Sequence, residues 1–216
     1  MEITWYGHSC FRLSERGLAT IVTDPFDDSI GYESPRLKAD IVTVSHAAPG
    51  HDHLDLVKDA RPITGPGEFE IGGVFITGIA THRLADKHKV GETSKKNTLF
   101  VFDFDGLTVA HLGDLDHVPS QSQIEELGTV SVALVPVGGG GGLNAAQAAE
   151  VISLIEPAIV VPMHYKTAET TLKLDPLTKF LKEMGLNTVK TEDSLTVKRG
   201  SLPDETSIVV LDFKRG

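Results

Sequence analysis

Four apolar segments of this chain end at side chains of the kind that bind metal ions. Each segment is rich in valine, isoleucine and threonine, a composition that predicts a buried strand. The side chains at the segment ends are His46, His82, Asp114 and His164. The carboxyl ends of neighbouring strands meet at one edge of a sheet, where side chains converge on a ligand. The pattern therefore predicts a sheet-based fold in which four distant positions share one site.

The loop after the first of these strands points to the same chemistry. Within ten residues it contains three histidines and two acids: His46, His51, His53, Asp52 and Asp55. Neutral imidazoles and carboxylates are the ligands that zinc and similar divalent ions prefer. A solvated polar loop that merely contains histidines is the alternative, and the loop alone does not decide between the two.

Composition limits the class of protein. The chain has 216 residues, enough for one domain with a sizeable core, and no linker-like segment divides residues 1–216. A net charge of −10 opposes non-specific binding to nucleic acids or anionic membranes. The single cysteine, Cys10, excludes an internal disulfide and a cysteine-based zinc cluster, and it fits a cytoplasmic location. The sequence shows neither a signal peptide nor an apolar run long enough to cross a bilayer.

The order of the predicted elements indicates an α/β protein with two sheets covered by helices. Residues 3–24 are predicted to form a hairpin that turns at residues 15–17, which would put His8 and Cys10 on one face of a strand. Residues 54–60 are predicted to form a short helix. Ser120 and Asn144 are predicted to cap two later helices.

Two further segments are predicted to lie at or near the site. Polar residues 83–97, which include Lys95, are predicted to form a loop over or beside it. The five glycines of residues 138–142 predict either a flexible linker or a close approach of the backbone to a ligand.

Several motifs resemble those of the metallo-β-lactamase-fold hydrolases, and most closely the small subgroup similar to L-ascorbate-6-phosphate lactonase. The motifs are WYGHSCF, TDPF, IVTVSH, GPGEFEIGGVFITGI, AHLGDLDH, the PVGGG run and VVPMHYKT. They extend over nearly the whole chain, and AHLGDLDH and VPMHYKT are specific. The resemblance implies a four-layer αββα sandwich with a one- or two-metal site at one edge of the facing sheets.

The resemblance also implies a set of metal ligands and two departures from it. The matching positions are His46, His51, His82, Asp114 and His164. Ala48 and Gly50 stand where the family motif has a histidine and an aspartate. Two half-sites remain, one of His46, His82 and Asp114 and the other of His51, His164 and Asp114. The expected cofactor is Zn or Mn, with one metal favoured over two, and a chain that no longer binds metal tightly is the alternative.

The predicted activity is hydrolysis of a small ester, lactone or phosphodiester by a metal-bound hydroxide. Asp114 would ligate the metal and orient the water. Because Gly50 cannot act as a base, Asp52, His53 or His8 is the expected substitute. His117 and Lys166 are predicted to hold an anionic group of a small-molecule substrate.

A competing hypothesis is a non-catalytic or weakly active relative that binds a small ligand or a protein partner in the same cleft. Nuclease activity is disfavoured by the acidic charge. An exposed hairpin edge could pair two copies of the chain into a homo-oligomer.

Overall fold

The computed structural model describes residues 1–83 and 95–215. The strands are β1 Glu2–Gly7, β2 Cys10–Ser14, β3 Ile21–Thr23, β4 Leu37–Lys38, β5 Ile41–Thr43, β6 Val57–Lys58, β7 Arg61–Ile63, β8 Gly67–Ile71, β9 Val74–Arg83, β10 Lys95–Phe104, β11 Leu107–His111, β12 Val132–Pro136, β13 Ile159–Met163, β14 Thr191–Glu192, β15 Leu195–Thr196, β16 Ser207–Ile208 and β17 Val210–Leu211. The helices are α1 Gln121–Leu127, α2 Ala145–Ile155 and α3 Leu177–Glu183, with short 3₁₀ helices at Asp28–Ile30, Leu54–Leu56 and Arg199–Ser201.

Two mixed sheets carry the fold. The first has the strand order β15-β1-β2-β3-β5-β7, and the second has the order β16-β13-β12-β11-β10-β9-β8. In the first sheet β3, β5 and β7 run parallel, and in the second β11, β12, β13 and β16 run parallel. Parallel strands end at the same edge of a sheet, so the segments that follow β3, β5, β11 and β13 are brought to common edges.

The side chains of the first sheet alternate between two apolar clusters, as the two-residue period of a strand requires. Ile21 and Ile41 belong to the large cluster that also contains the buried residues of the second sheet. Their neighbours Val22 and Val42 belong to a smaller cluster on the other face. The buried residues of α1, α2 and α3 join the large cluster. The predicted sandwich of two facing sheets is confirmed.

The smaller cluster explains what covers the outer face of the first sheet. Ile30, at the end of a 3₁₀ helix, and Tyr32 in the following loop are buried against it. In the described part of the chain, this outer layer is therefore made of loop and 3₁₀ segments, whereas α-helices supply the outer layer on the second sheet.

Two predicted elements, the strand before residues 15–17 and the helix at residues 54–60, are wrong. The predicted turn at residues 15–17 is present, since β2 and β3 pair antiparallel on either side of it. The predicted strand before that turn is instead two strands, β1 and β2, which form a hairpin of their own at Gly7–Ser9, where Gly7 and His8 both take a positive φ, 109° and 50°. His8 therefore lies in a turn and does not share a strand face with Cys10. Residues 54–60 form a 3₁₀ turn followed by β6, which pairs with β4 and buries Val57.

Both predicted helix caps are present as full capping boxes. The Ser120 side chain accepts from the backbone of Gln123, and the Asn144 side chain accepts from the backbone of Gln147. None of the helices in residues 1–83 and 95–215 is long and apolar enough to span a lipid bilayer.

Candidate metal centre

Five side chains that can bind a metal ion meet where the two sheets end. His46 and His51 follow β5, Asp114 follows β11, His164 follows β13, and His8 occupies the turn between β1 and β2. Their ligand atoms form two groups, His8 with His51 and His164, and His46 with His51 and Asp114. Within each group the ligand atoms all lie within 4.8 Å of one another. The two groups share His51, so they belong to one continuous site.

The first group has the spacing of a metal site. The Nε2 atoms of His8 and His51 lie 3.1 Å apart. Two nitrogens on one tetrahedral zinc, each bonded at about 2.0–2.1 Å, would be roughly 3.3–3.4 Å apart. The ring of His8 also packs on that of His164 at a centroid distance of 4.1 Å. Three imidazoles at this spacing therefore fit a divalent ion.

Asp24 fixes the orientation of His51. Its Oδ2 lies 2.9 Å from Nδ1 of His51, and its two oxygens accept from the backbone N–H and the hydroxyl of Ser45. Because Nδ1–H donates to Asp24, the Nε2 lone pair of His51 points toward His8. A metal-binding histidine usually donates its other ring N–H to a carboxylate, a carbonyl or a water, which fixes its tautomer and orientation.

Asp24 is fully buried and still keeps its charge. Burial raises its pKa, but the hydrogen bond from His51, the nearby His111 and the hydroxyl of Ser45 lower it, and the net pKa lies below the ordinary value. The sequence analysis did not single out Asp24 as a site residue. The available signal was its position, an acid directly after the buried strand β3.

Burial keeps the imidazoles in the neutral form that a metal ion requires. It lowers the pKa of His164 to about 4 and the pKa of His8 well below its ordinary value. It also lowers the pKa of His46. These three histidines are therefore unprotonated at neutral pH, which agrees with a role as metal ligands.

The Asp114 carboxylate belongs to the group with His46 and His51 and also lies near His164 of the other group. Its Oδ2 lies 3.8 Å from Nε2 of His46, and its Oδ1 lies 3.5 Å from Nε2 of His164. Oδ1 is buried and has no hydrogen-bond partner among the described residues. The backbone N–H of Asp114 donates to Oδ1 of Asn97, which fixes the segment after β11 against β10.

Lys95 makes the closest contact to Asp114. Its Nζ lies 2.6 Å from Oδ2 of Asp114 and 2.8 Å from the carbonyl oxygen of Gly141. The sequence analysis assigned Lys95 to a loop, but it is the first residue of β10. Residues 84–94 of the predicted loop lie outside the described residues. The register of β10 aims Lys95 into the site, and composition alone could not reveal that direction.

The glycine run allows the backbone to approach these groups closely. A Cβ on Gly142 would lie 2.5 Å from Oδ1 of Asp114, and one on Gly138 would overlap the carbonyl oxygen of His164. Of the two alternatives predicted for this run, a close approach of the backbone to the site is the one that the geometry supports.

His8 occupies space beside one of the positions where the chain departs from the family motif. A Cβ on Gly50 would lie 3.4 Å from Nε2 of His8. The ring of His8 thus stands next to the place where the resemblance puts an aspartate. The sequence analysis offered His8 as a base, whereas its contacts with His51 and His164 make it a candidate ligand.

The structure does not bring His82 into either group. Its side chain is exposed, while the preceding residue, Thr81, is buried and donates from its hydroxyl to the carbonyl oxygen of Asn97. Successive side chains of a strand point to opposite faces, so a buried Thr81 directs His82 outward. The predicted half-site of His46, His82 and Asp114 is therefore not formed.

The two other predicted bases lie apart from the metal-binding groups. His53 pairs through Nε2 with Oδ2 of Asp27 at 3.0 Å, and its Nδ1 lies 3.8 Å from Asp52. All three side chains are about a third exposed. Asp27, Asp52 and His53 thus form a separate cluster at the surface.

The two predicted substrate-binding residues are held by their own loops. Nδ1 of His117 lies 2.7 Å from Oδ1 of Asp116. Nζ of Lys166 donates to the carbonyl oxygen of Thr170 at 2.6 Å, within the loop that follows β13. Neither residue is a member of the two ligand groups.

The paired mixed sheets, with histidines and an aspartate at their shared edge, define a protein of the metallo-β-lactamase fold. Residues 2–164 match the family model described as a beta-lactamase superfamily domain. The chain belongs to this superfamily and, within it, to the UPF0173 metal-dependent hydrolase family.

Two relatives and one solved structure illustrate the membership. The chain is 32% identical to a UPF0173 metal-dependent hydrolase of Methanoculleus marisnigri, over 77% of this chain and 82% of that protein. It is 28% identical to one from Archaeoglobus fulgidus, over 87% and 93% of the two chains. A proposed Zn-dependent hydrolase of the metallo-beta-lactamase superfamily from Thermotoga maritima, known from a crystal structure, shares 39% sequence identity with this chain. The two structures superpose with a TM-score of 0.77 over 97% of each chain.

Proposed function

We propose that this protein hydrolyses a small ester, lactone or phosphodiester with the help of one divalent ion, Zn or Mn. The observation that carries the proposal is the group of three imidazoles, His8, His51 and His164, with the Asp24 carboxylate hydrogen-bonded to His51. The membership in a family of metal-dependent hydrolases supports the reaction type. Lactones are included because the motifs resemble those of the ascorbate-6-phosphate lactonase subgroup.

The residues of this chain fit such an ion. The three imidazoles would hold it, and Asp24 would keep the Nε2 lone pair of His51 directed at it. A bound divalent ion would polarise a carbonyl or phosphoryl oxygen and lower the pKa of water. These chemistries belong to hydrolysis and require neutral imidazoles as ligands, and burial keeps His8 and His164 in that form.

His46 and Asp114 are the candidates for proton transfer. His46 is partly exposed, its lowered pKa makes it a neutral base at pH 7, and its Nε2 faces Asp114. The Asp114 charge would stabilise the imidazolium that forms when His46 takes a proton. His46 thus replaces Asp52 and His53 as the proposed base, because those two lie with Asp27 at the surface.

A metal analysis combined with a substrate panel tests the proposal. Protein purified without chelator should contain one Zn or Mn per chain and should hydrolyse at least one ester, lactone or phosphodiester. Anionic members belong in the panel because Lys95 is partly exposed beside the site. His51→Ala should lose both metal and turnover, whereas His53→Ala, on the same loop but outside the ligand groups, should keep both. Metal-free protein without turnover on the whole panel would contradict the proposal.

A second candidate function is ligand or protein binding with little or no catalysis. It is favoured by Ala48 and Gly50, which cannot bind metal through side chains, and by the ammonium of Lys95 on Asp114. Protein that retains a metal ion, shows no turnover on the panel and binds a panel compound unchanged would support this candidate.

A further inference from the structure

The Asp114 carboxylate already holds a positive charge that the chain itself provides. The Lys95 ammonium donates to Oδ2 of Asp114 and to the carbonyl oxygen of Gly141. The side chain of Lys95 is 22% exposed and that of Asp114 is 12% exposed, so the pair is largely screened from solvent. A charge-assisted hydrogen bond of 2.6 Å in such surroundings is among the stronger contacts a side chain makes.

This ammonium affects the two ligand groups differently. It binds directly to Asp114, which belongs to the group with His46 and His51. The other group consists of His8, His51 and His164. Lys95 donates its hydrogen bonds to Asp114 and Gly141 rather than to these histidines. The Lys95 ammonium therefore occupies the Asp114 side of the site, and the three imidazoles stay available to bind a metal ion.

A divalent ion at Asp114 would compete with Lys95 for the same oxygen. Like charges a few ångströms apart repel, and they do so more strongly where solvent is excluded. Displacing Lys95 would also break its hydrogen bond to Gly141. An ion held by the three imidazoles would bind ring nitrogens and would not take Oδ2 of Asp114 from Lys95.

We propose that the ammonium of Lys95 fills the second cation position, between Asp114 and His46, and thereby restricts the protein to one divalent ion at His8, His51 and His164. The inference rests on the proposed function, because it assumes that the imidazole group holds a metal. It adds a specific role for Lys95, that of a built-in cation which sets the metal stoichiometry.

The test counts bound ions in the full-length protein. Metal-free wild type and variants are dialysed against buffered ZnCl₂ or MnCl₂, and the ions per chain are measured by elemental analysis. The wild type should bind one ion. Lys95→Met, which removes the charge and keeps most of the length of the side chain, should bind two. The affinity for the second ion should rise by at least roughly tenfold, because the buried carboxylate is left without its cation.

Three controls locate the effect. Lys96→Met changes the adjacent exposed lysine of β10 and should still bind one ion. Lys95→Arg retains a positive charge and should also bind one. Lys95→Met combined with His46→Ala should return to one ion, because it removes a ligand of the second position. Thermal unfolding in chelator checks that each variant folds, and Lys95→Gln replaces Lys95→Met if the latter does not.

The outcomes separate this inference from the proposed function. One ion in the wild type and two in Lys95→Met supports the role of Lys95. One ion in both overturns that role and leaves the metal-dependent function standing, and two ions in the wild type also overturn it. A wild type that binds no ion under these conditions overturns both.

Discussion

The carboxylate of Asp24 accepts a hydrogen bond from Nδ1 of His51 at 2.9 Å and thereby sets which nitrogen of His51 faces the other imidazoles. Asp24 follows β3 and His51 follows β5, and these two strands are parallel neighbours in the first sheet. The strand register thus supplies both the candidate ligand and its support. Asp24 also accepts twice from Ser45, so its position does not depend on His51 alone.

Asp24→Asn should weaken metal binding while leaving the candidate ligands in place. An amide cannot supply the negative charge of the carboxylate that supports His51, and the loss of such a partner typically costs about 10–100-fold in metal affinity. The measurement is a competition titration against a chelator of known affinity. Asp55→Asn, an exposed acid near the same loop, is the control and should not change the affinity. Equal affinities for the two variants would contradict the role of Asp24.

His8→Ala should lower the metal affinity by at least roughly tenfold, because it removes one of three imidazoles from the group that shares the ion. The same titration measures the effect, with His53→Ala as the control from outside both groups. If instead the metal is held by His46, His51 and Asp114, His8→Ala will leave the affinity unchanged and His46→Ala will reduce it.

Gly142→Ala should disturb the position of Asp114 and destabilise the fold. The added Cβ would lie 2.5 Å from Oδ1 of Asp114, and overpacking of this kind typically costs about 1–3 kcal/mol. Urea unfolding monitored by circular dichroism gives the free energy of unfolding. Gly65→Ala is the matched control, since a Cβ at Gly65 meets no atom within 4 Å. A change of less than about 0.5 kcal/mol at Gly142 would show that the backbone moves aside without cost.

The sequence was sufficient to predict the sandwich and the edge at which its strand ends meet. Apolar runs that end in polar residues report strand ends, and so His46, Asp114 and His164 were expected to converge, as they do in the structure. Their role as metal ligands stays a prediction. The structure does not bring His82 to the other predicted ligands. That prediction depended on its position after an apolar run, whereas the face of β9 on which His82 lies depends on pairing with β10.

The contacts that Lys95 and His8 make in the site could not be predicted from the sequence for a similar reason. Lys95 lies in a lysine-rich polar stretch whose composition predicts a loop, and only the strand register directs it at Asp114. His8 was expected within a strand, but Gly7 and His8 form the turn that brings its ring to His51. In both cases the deciding information was long-range pairing, which a local pattern does not contain.

The metal-free protein should lose stability in acid over a range set by its buried histidines. The pKa of His164 is about 4 in the folded chain, and an unfolded histidine has a pKa near 6.5, so between these values the unfolded chain binds a proton that the folded chain does not. Stability should therefore be constant above about pH 6.5 and fall as the pH drops toward 4, by on the order of 3 kcal/mol for His164 alone. His8 and His46 act in the same direction because their pKa values are also lowered. Urea unfolding in chelator at pH 7.5, 6.0 and 5.0 measures the slope, and His164→Gln should make it shallower. A free energy of unfolding that does not change over this range would contradict the neutral, buried state of these imidazoles.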